Sequence, residues 1–315
     1  MSPIAPEIAI VMPVYNPGDA LAMTLESLRQ QTVPFRLYLV DDGSSSKPDY
    51  DELLRGFDYR LIKLEKNRGI AGALNIGLEA ALLAGHAFIA RMDCGDWCEP
   101  ERLALSRQFL HARPDVDLMG TWTMITSKNT GSNYLFAPPT DNSRLVRRLY
   151  YGMAFIHPAM MIRARLFETI GGYSLDYEAA EDYELCRRAA RAGFRLANIP
   201  DVLVHKIEDV TSISVRRRRA QLWSRLRIQW FYRDWSIHCG LGMLRTLLLF
   251  LTPPMILRCA KALASPGNGF FSLRGKGADK PTHHISSLSS FRRKPESSFM
   301  LCDQKLDPDF RRGDE

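Results

Sequence analysis

Several features that would narrow the class of this chain at once are missing. Its 315 residues include six cysteines, at 94, 98, 186, 239, 259 and 302, and no pair of them repeats a framework spacing. A chain of this length builds its core without disulfides, so reduced thiols in a reducing compartment are the expected state. Residues 1–6 carry neither a charged start nor an apolar stretch, which speaks against a secretory leader. No apolar run approaches the roughly 20 residues of a spanning helix. The nearest, residues 247–251, is bounded by Arg245, Pro253, Pro254 and Arg258. Neither G-x-G-x-x-G nor a Walker A loop occurs, so dinucleotide binding and P-loop chemistry are not expected. Cys94 and Cys98 have no partner pair nearby, which leaves zinc without a ligand set.

What is present is a hydrophobic fraction of 46% and a formal net charge of +7. That suffices for one large α/β domain with appendages, or for two domains. The basic excess gathers at Arg216–Arg219, Arg225, Arg227 and Arg233. Phosphorylated ligands, anionic lipid and nucleic acid all suit that sign.

Strand candidates at 8–14, 37–40, 59–64 and 88–92, the first a continuous apolar run, alternate with helical stretches at 19–31, 50–56 and 70–84. Strands alternating with helices predict an α/β fold built from βαβ units, with Asp19 placed to cap the first helix. Further on come a helix to about 111, a strand at 118–125, a loop or hairpin at 126–139 and a helix at 143–151. Then follow an extended stretch at 155–162, helices at 165–170 and 181–193, and a last strand at 195–205. The expected organisation is a domain over 1–213, in two parts at about 7–115 and about 116–213. A basic, aromatic helical extension covers 214–263, and it reads either as an amphipathic element on a membrane surface or as a helical cap on the domain. Residues 264–315 are rich in Ser, Gly, Pro, Lys and Arg and are expected to be disordered.

Three acidic clusters carry the chemistry: Asp41-Asp42-Gly43-Ser44, Asp93-Cys94-Gly95-Asp96 and Glu181-Asp182. The first two end predicted strands, and open α/β sheets bind ligands outside the carboxyl ends of their strands. An Asp-Gly turn with solvated acids accounts for the first cluster taken alone. Three clusters at one sheet edge point instead to a nucleotide, a cation and a base. Tyr15, after Pro13-Val14, is placed to stack on a base. Asn67-Arg68-Gly69 through Asn75 opens a helix whose first N–H groups suit phosphate or ribose; close helix–sheet packing through Gly69 and Gly72 is the structural alternative. Asp93 and Asp96 offer hard oxygen ligands. Glu181-Asp182 starts a helix, where the dipole alone favours acids, yet a general base needs such a carboxylate. His157-Pro158 and Gly171-Gly172-Tyr173 are candidates for an acceptor pocket.

In order and spacing these words resemble the family 2 glycosyltransferases with the GT-A fold. The matching segments are Ile10 to Asn16, Val40 to Ser44, Asn67 to Asn75, Ala90-Arg91-Met92-Asp93, Pro100 to Leu103, His157-Pro158, Gly171 to Tyr173 and Glu181 to Leu185. They span about residues 7–205. The resemblance implies a mixed, mostly parallel sheet with flanking helices, and inverting transfer of a sugar from a nucleoside-diphosphate donor to an acceptor hydroxyl. It implies donor contacts from Pro13, Tyr15, Asn16, Asp41, Asp42, Asn67, Gly69, Asn75, Arg91 and Asp93. Asp182 is the implied base, with Glu181 second, and His157, Gly172 and Tyr173 line the acceptor side. It also implies a divalent cation, Mg2+ or Mn2+. The family's usual second acid maps onto Gly95, so either Asp96 joins Asp93 in holding the ion or metal binding is weakened.

The Gln-x-x-Arg-Trp word of processive synthases is missing, which implies one sugar added per encounter. A glycan or lipid-linked acceptor, a cytoplasmic enzyme peripheral on the inner membrane face, and bacterial polysaccharide or lipopolysaccharide synthesis follow from the same resemblance. Two rivals remain. A degenerate nucleotide-sugar-binding module would explain Gly95. A nucleotidyltransferase would need a glycine-rich basic loop after the first strand, which Asn16-Pro17-Gly18-Asp19 does not provide. Nucleic acid is not expected as a partner.

Overall fold

The computed structural model describes residues 6–46, 48–129, 131–208 and 217–252. The expected tail at 264–315 and the outer parts of the 214–263 extension lie outside the described residues.

The first half is a run of parallel strands with helical crossovers. β1 (Ile8–Val14), β2 (Arg36–Asp41), β3 (Tyr59–Lys63) and β4 (Phe88–Arg91) pair in the order β3-β2-β1-β4. β1 is buried on both faces, as a continuous apolar run in a helix-covered sheet should be. α1 (Ala20–Arg29), α2 (Tyr50–Leu53) and α3 (Gly69–Leu83) connect the strands. Asp19 does not cap α1: its backbone is already helical, at φ −71 and ψ −14, and no side-chain cap bond forms. Capping needs an extended backbone at that position. Close helix–sheet packing also runs through a different glycine from the two expected. A Cβ at Gly77 would lie 2.7 Å from Val11 Cγ1, whereas Gly69 has nothing within 4 Å.

Beyond β4 the sheet turns mixed. β5 (Trp97–Cys98), α4 (Arg102–Ala112), β6 (Val116–Ser127), β7 (Asn133–Phe136) and α5 (Asn142–Tyr151) come first. β8 (Met161–Arg163), α6 (Ala164–Ile170), α7 (Glu181–Arg191) and β9 (Arg195–Glu208) follow. The sheet continues β4-β8-β6-β9-β5, with β7 a hairpin partner of β6. β8 runs antiparallel to both β4 and β6, while β6 and β9 are parallel. Their register slips between Thr121 and Trp122, where Pro200 of β9 has no N–H to give the ladder. The extended stretch expected at 155–162 is interrupted by a 3-10 turn, His157–Ala159, started by Pro158 with its fixed φ. The two-residue β5 has no signal in sequence; it exists because Trp97 and Cys98 pair with His205 and Val204, and the Trp97 and His205 rings stack at 3.6 Å.

α8 (Arg218–Phe231) and α9 (Ile237–Leu251) form the described part of the extension. One side is docked. Ile228, Gln229, Cys239 and Thr246 are buried. Gln229 Nε2 donates to Tyr150 O at 2.7 Å, the Tyr232 hydroxyl donates to Glu184 at 2.6 Å, and Tyr151 OH meets His238 Nδ1 at 2.8 Å. The other side exposes Trp230, Phe231, Trp235, Ile237, Leu248 and Leu251. No helix among the described residues is long and apolar enough to cross a membrane.

Candidate active site

The parallel register sets the ends of β1 and β2 side by side, with Val14 opposite Asp41. Asp41 and Asp42 are buried, at 3% and 4% exposure. Both acids are occupied locally. Asp41 accepts from Ser44 N at 2.9 Å and from the Tyr50 hydroxyl at 2.9 Å. Asp42 accepts from Arg68 N at 2.7 Å. Burial pushes the Asp42 carboxyl up, against the pull of the Arg68 and Gly69 amides. Asn16 Oδ1 takes Ser45 N at 2.9 Å and Ser46 N at 3.2 Å, and Asn67 Oδ1 takes Gly69 N at 3.0 Å. Gly43, at φ +73, lets its loop run against Lys66 and Asn67, where a Cβ would lie 2.7 Å from Lys66 C. These residues tie three loops into a platform. On it Tyr15 stands 54% exposed, free to stack, and Pro13 is half-buried beside it.

The second cluster meets charged partners. Arg91 is buried, donates to Val11 O at 3.4 Å and to Met92 O, and forms an ion pair with Asp93. It faces inward and fixes Asp93. The β5–β9 pairing then brings Asp96 alongside Lys206: Asp96 Oδ1 accepts Ile207 N at 3.0 Å. Lys206 Nζ lies 3.7 Å from Asp96 Oδ2 and 3.9 Å from Asp93 Oδ2. Burial pushes the Asp93 carboxyl up, but Arg91 and Lys206 more than offset it, and it settles at about 2. For Asp96 burial wins over Lys206, and it is pushed up to about 6. Burial pulls the Lys206 ammonium down, and the two carboxylates return it above its usual range.

α7 points its amino end at the same edge. Asp182 is half-buried and accepts Tyr183 N at 2.7 Å; Glu181 is 7% exposed. Burial, then Asp182 beside it, push Glu181 up to about 7. Burial also raises Asp182, against Tyr183 N and the Arg225 guanidinium, while Asp93 and Lys206 act on it too. The third cluster therefore shares its electrostatic field with the second. Arg225 comes from α8, so the extension contributes a charge to this edge; it lies 5.2 Å from the Tyr183 ring centre.

The 157–158 and 171–173 segments come together in the fold. His157 Nε2 meets the Tyr173 hydroxyl at 3.0 Å, and both are buried. Burial and Arg91 hold the His157 imidazole well below its usual pKa, hence neutral. Asn75 does not face outward from α3. Its amide clasps the backbone of Tyr173, donating to Tyr173 O at 2.8 Å and accepting Tyr173 N at 2.7 Å. Gly172 permits this approach, since a Cβ there would lie 2.4 Å from Asn75 Oδ1.

The donor set fits a divalent cation poorly. Gly95, at φ +97, offers no side-chain oxygen, Asp96 gives one oxygen to β9, and an ammonium already faces both acids. Among the described residues no three His, Cys, Asp or Glu side chains gather around one point.

Residues 9–171 match the family model of glycosyl transferase family 2. The chain belongs to that family. As a family 2 glycosyltransferase it is similar to the amylovoran biosynthesis glycosyltransferase AmsE of Erwinia amylovora, 31% identical over 78% of this chain and 92% of that protein. It is also similar to the UDP-Gal:alpha-D-GlcNAc-diphosphoundecaprenol beta-1,3-galactosyltransferase of Escherichia coli, 26% identical over 65% of this chain and 75% of that one. Its fold matches the mannosyltransferase PcManGT from Pyrobaculum calidifontis, solved in complex with GDP-Man and Mn2+. The TM-score is 0.56 at 17% identity, over 84% of this chain and 81% of that one. The mixed sheet with flanking helices is thus the GT-A arrangement of this family 2 enzyme, and glycosyl transfer is its activity.

Two charged residues of this enzyme were not read from the sequence as parts of this edge. Lys206 sits near the end of β9 between His205 and Glu208, where a basic residue reads as a solvated position. Arg225 sits in an arginine-rich helix and has no local mark that separates it from its neighbours.

Proposed function

We propose that this glycosyltransferase moves one sugar per encounter from a nucleoside-diphosphate sugar to an acceptor hydroxyl, with inversion at C1. The observation that carries the reading is the Glu181–Asp182 pair at the start of α7, in the same field as Asp93 and Lys206. Asp182 takes the acceptor proton as the acceptor oxygen bonds to C1. The bond from C1 to the diphosphate oxygen breaks, and its electron pair leaves with the diphosphate. One carboxylate base suffices for a single displacement, and burial raises its pKa toward the working range. Tyr15 stacks on the donor base above the platform that Asp41, Asp42 and Asn16 stiffen. His157 and Tyr173 wall the acceptor side.

The acceptor we infer is a glycan built on a lipid, in bacterial surface-polysaccharide or lipopolysaccharide synthesis. The Erwinia relative is named for a polysaccharide pathway, and the Escherichia coli relative for a diphosphoundecaprenol acceptor. The exposed apolar side of α8 and α9, with arginines beside it, suits the surface of an anionic bilayer on the inner membrane face, where such lipids are glycosylated.

Thermal-shift titration with UDP-, GDP- and dTDP-sugars tests the donor reading. A ligand that binds only the native state adds about 2.7 kcal/mol of apparent stability at a hundredfold excess over Kd. At least one of these donors is expected to raise Tm and to be consumed when lipid-linked acceptors are supplied. A flat response to all of them overturns the reading.

A further inference from the structure

We propose that the Lys206 ammonium takes, in this chain, the place of a divalent cation: it is the positive charge that meets the donor's diphosphate. The inference rests on the reading of this edge as a nucleoside-diphosphate-sugar site, and it deepens that reading.

Position comes first. Lys206 Nζ faces Asp93 Oδ2 at 3.9 Å and Asp96 Oδ2 at 3.7 Å, so it stands between the two acids expected to hold a metal. Asp96 Oδ2 has no hydrogen-bond partner among the described residues, and the ammonium is the charge it faces. A small divalent ion wants about six oxygens in near-octahedral array at about 2.0–2.1 Å. It would have to displace an ammonium of like charge and would gain no side chain from Gly95.

Availability comes second. Arg91 is enclosed, its guanidinium directed at Asp93 and at backbone carbonyls. His157 is buried and neutral. Lys206 differs from both: 24% of its side chain is exposed, and Asp93 beside it is 26% exposed. A flexible four-carbon stem lets the ammonium turn from the carboxylates toward a phosphate oxygen while staying in their field. Glu208, two positions on along β9, accepts from the Tyr134 hydroxyl at 3.2 Å and contributes less to the field on Lys206 than Asp96 and Asp93 do.

Chemistry comes third. When the bond from C1 to the diphosphate oxygen breaks, negative charge grows on that oxygen. The ammonium, turned to that oxygen, stabilises it by charge-assisted hydrogen bonding. Lys206 transfers no proton; the acceptor proton goes to Asp182, and the diphosphate leaves with the electron pair.

The test is calorimetric titration of the full chain with UDP, GDP, dTDP and the matching monophosphates, in EDTA and in MnCl2. The diphosphate that binds is expected to do so in EDTA, with Kd moving less than about threefold when Mn2+ is added. Lys206→Ala is expected to weaken that diphosphate by about tenfold or more, while the monophosphate changes by less than about threefold. Lys206→Arg, which keeps the charge, is expected to retain most of the affinity. Diphosphate binding that requires Mn2+ overturns the proposal. So does Lys206→Ala that binds the diphosphate as the wild type does. The wild-type comparison decides the matter even where the alanine variant does not fold. If no nucleoside diphosphate binds the wild type in either buffer, the donor reading itself falls, and this inference with it.

Discussion

At the end of β2, Asp41 and Asp42 give their oxygens to Ser44 N, the Tyr50 hydroxyl and Arg68 N. At the end of β4, Asp93 and Asp96 face Arg91 and Lys206 instead. Both pairs follow a parallel strand, and both sit at the edge where such sheets take ligands. Neutral donors fix a carboxylate by geometry, and the loops around it become rigid. Cationic partners hold a carboxylate by charge, and that balance responds when a phosphate or a sugar enters. On the proposed reading the β2 edge is the scaffold, and the β4 edge, joined by α7, is where transfer takes place.

The largest test of this contrast is Asp182→Asn. Loss of a general base is expected to lower kcat by about a thousandfold, with donor affinity and Tm unchanged, as read from donor consumption and calorimetry. Next comes Gly172→Ala, which forces a methyl to within 2.4 Å of Asn75 Oδ1. Overpacking of this kind costs about 1–3 kcal/mol and should raise the acceptor KM more than it lowers kcat. Asp42→Ala leaves the Arg68 amide without its acceptor, at a cost of about 1–2 kcal/mol. Unfolding by urea should show the loss, with kcat of the folded enzyme little changed. If Asp42→Ala silenced the enzyme at full stability, the two edges would not differ as described.

A fourth expectation concerns the outer side of the extension. Trp235→Ser should weaken binding to anionic vesicles several-fold while leaving transfer to a soluble acceptor intact, as sedimentation with vesicles would show. The smallest effect is a slope in pH. Glu181 rises from 4.5 to about 7 on folding, so the fold favours its protonated form. That stability is present below the unfolded value and is lost as pH climbs through the folded one. Glu181→Gln should flatten the fall in urea midpoint between pH 4.5 and about 7. Asp96, also raised, keeps a slope of its own in the variant.

Three of the four parallel strands were legible as mostly apolar runs with a turn signal after each; β3, which carries Arg60 and Lys63, was legible from its place between two helical stretches. The acids at their ends were legible for the same reason, since a strand end followed by Asp-Asp-Gly announces its own position. Their use was not legible. Whether Asp42 meets an amide or an ammonium depends on the Lys66–Arg68 loop folding back onto it. Whether Asp96 has a cation depends on β5 pairing with β9 across more than a hundred positions. Gly77 and Asn75 were hidden similarly: each is an ordinary helical residue until the sheet or the Tyr173 loop packs against it. The extension at 214–263 was read as a choice between cap and membrane element. Its buried side belongs to a cap, and its outer side keeps the other use open to the vesicle test.

The Asn75–Tyr173 clasp has a consequence for anyone who wishes to change what this enzyme glycosylates. It joins α3 to the loop that precedes α7 by two reciprocal bonds. A graft that imports residues 171–182 from a relative must carry a compatible side chain at position 75, or the new loop will arrive without its anchor. Exchange of acceptor preference by swapping contiguous segments should therefore fail where residue 75 is left behind and recover when that one distant position travels with the graft.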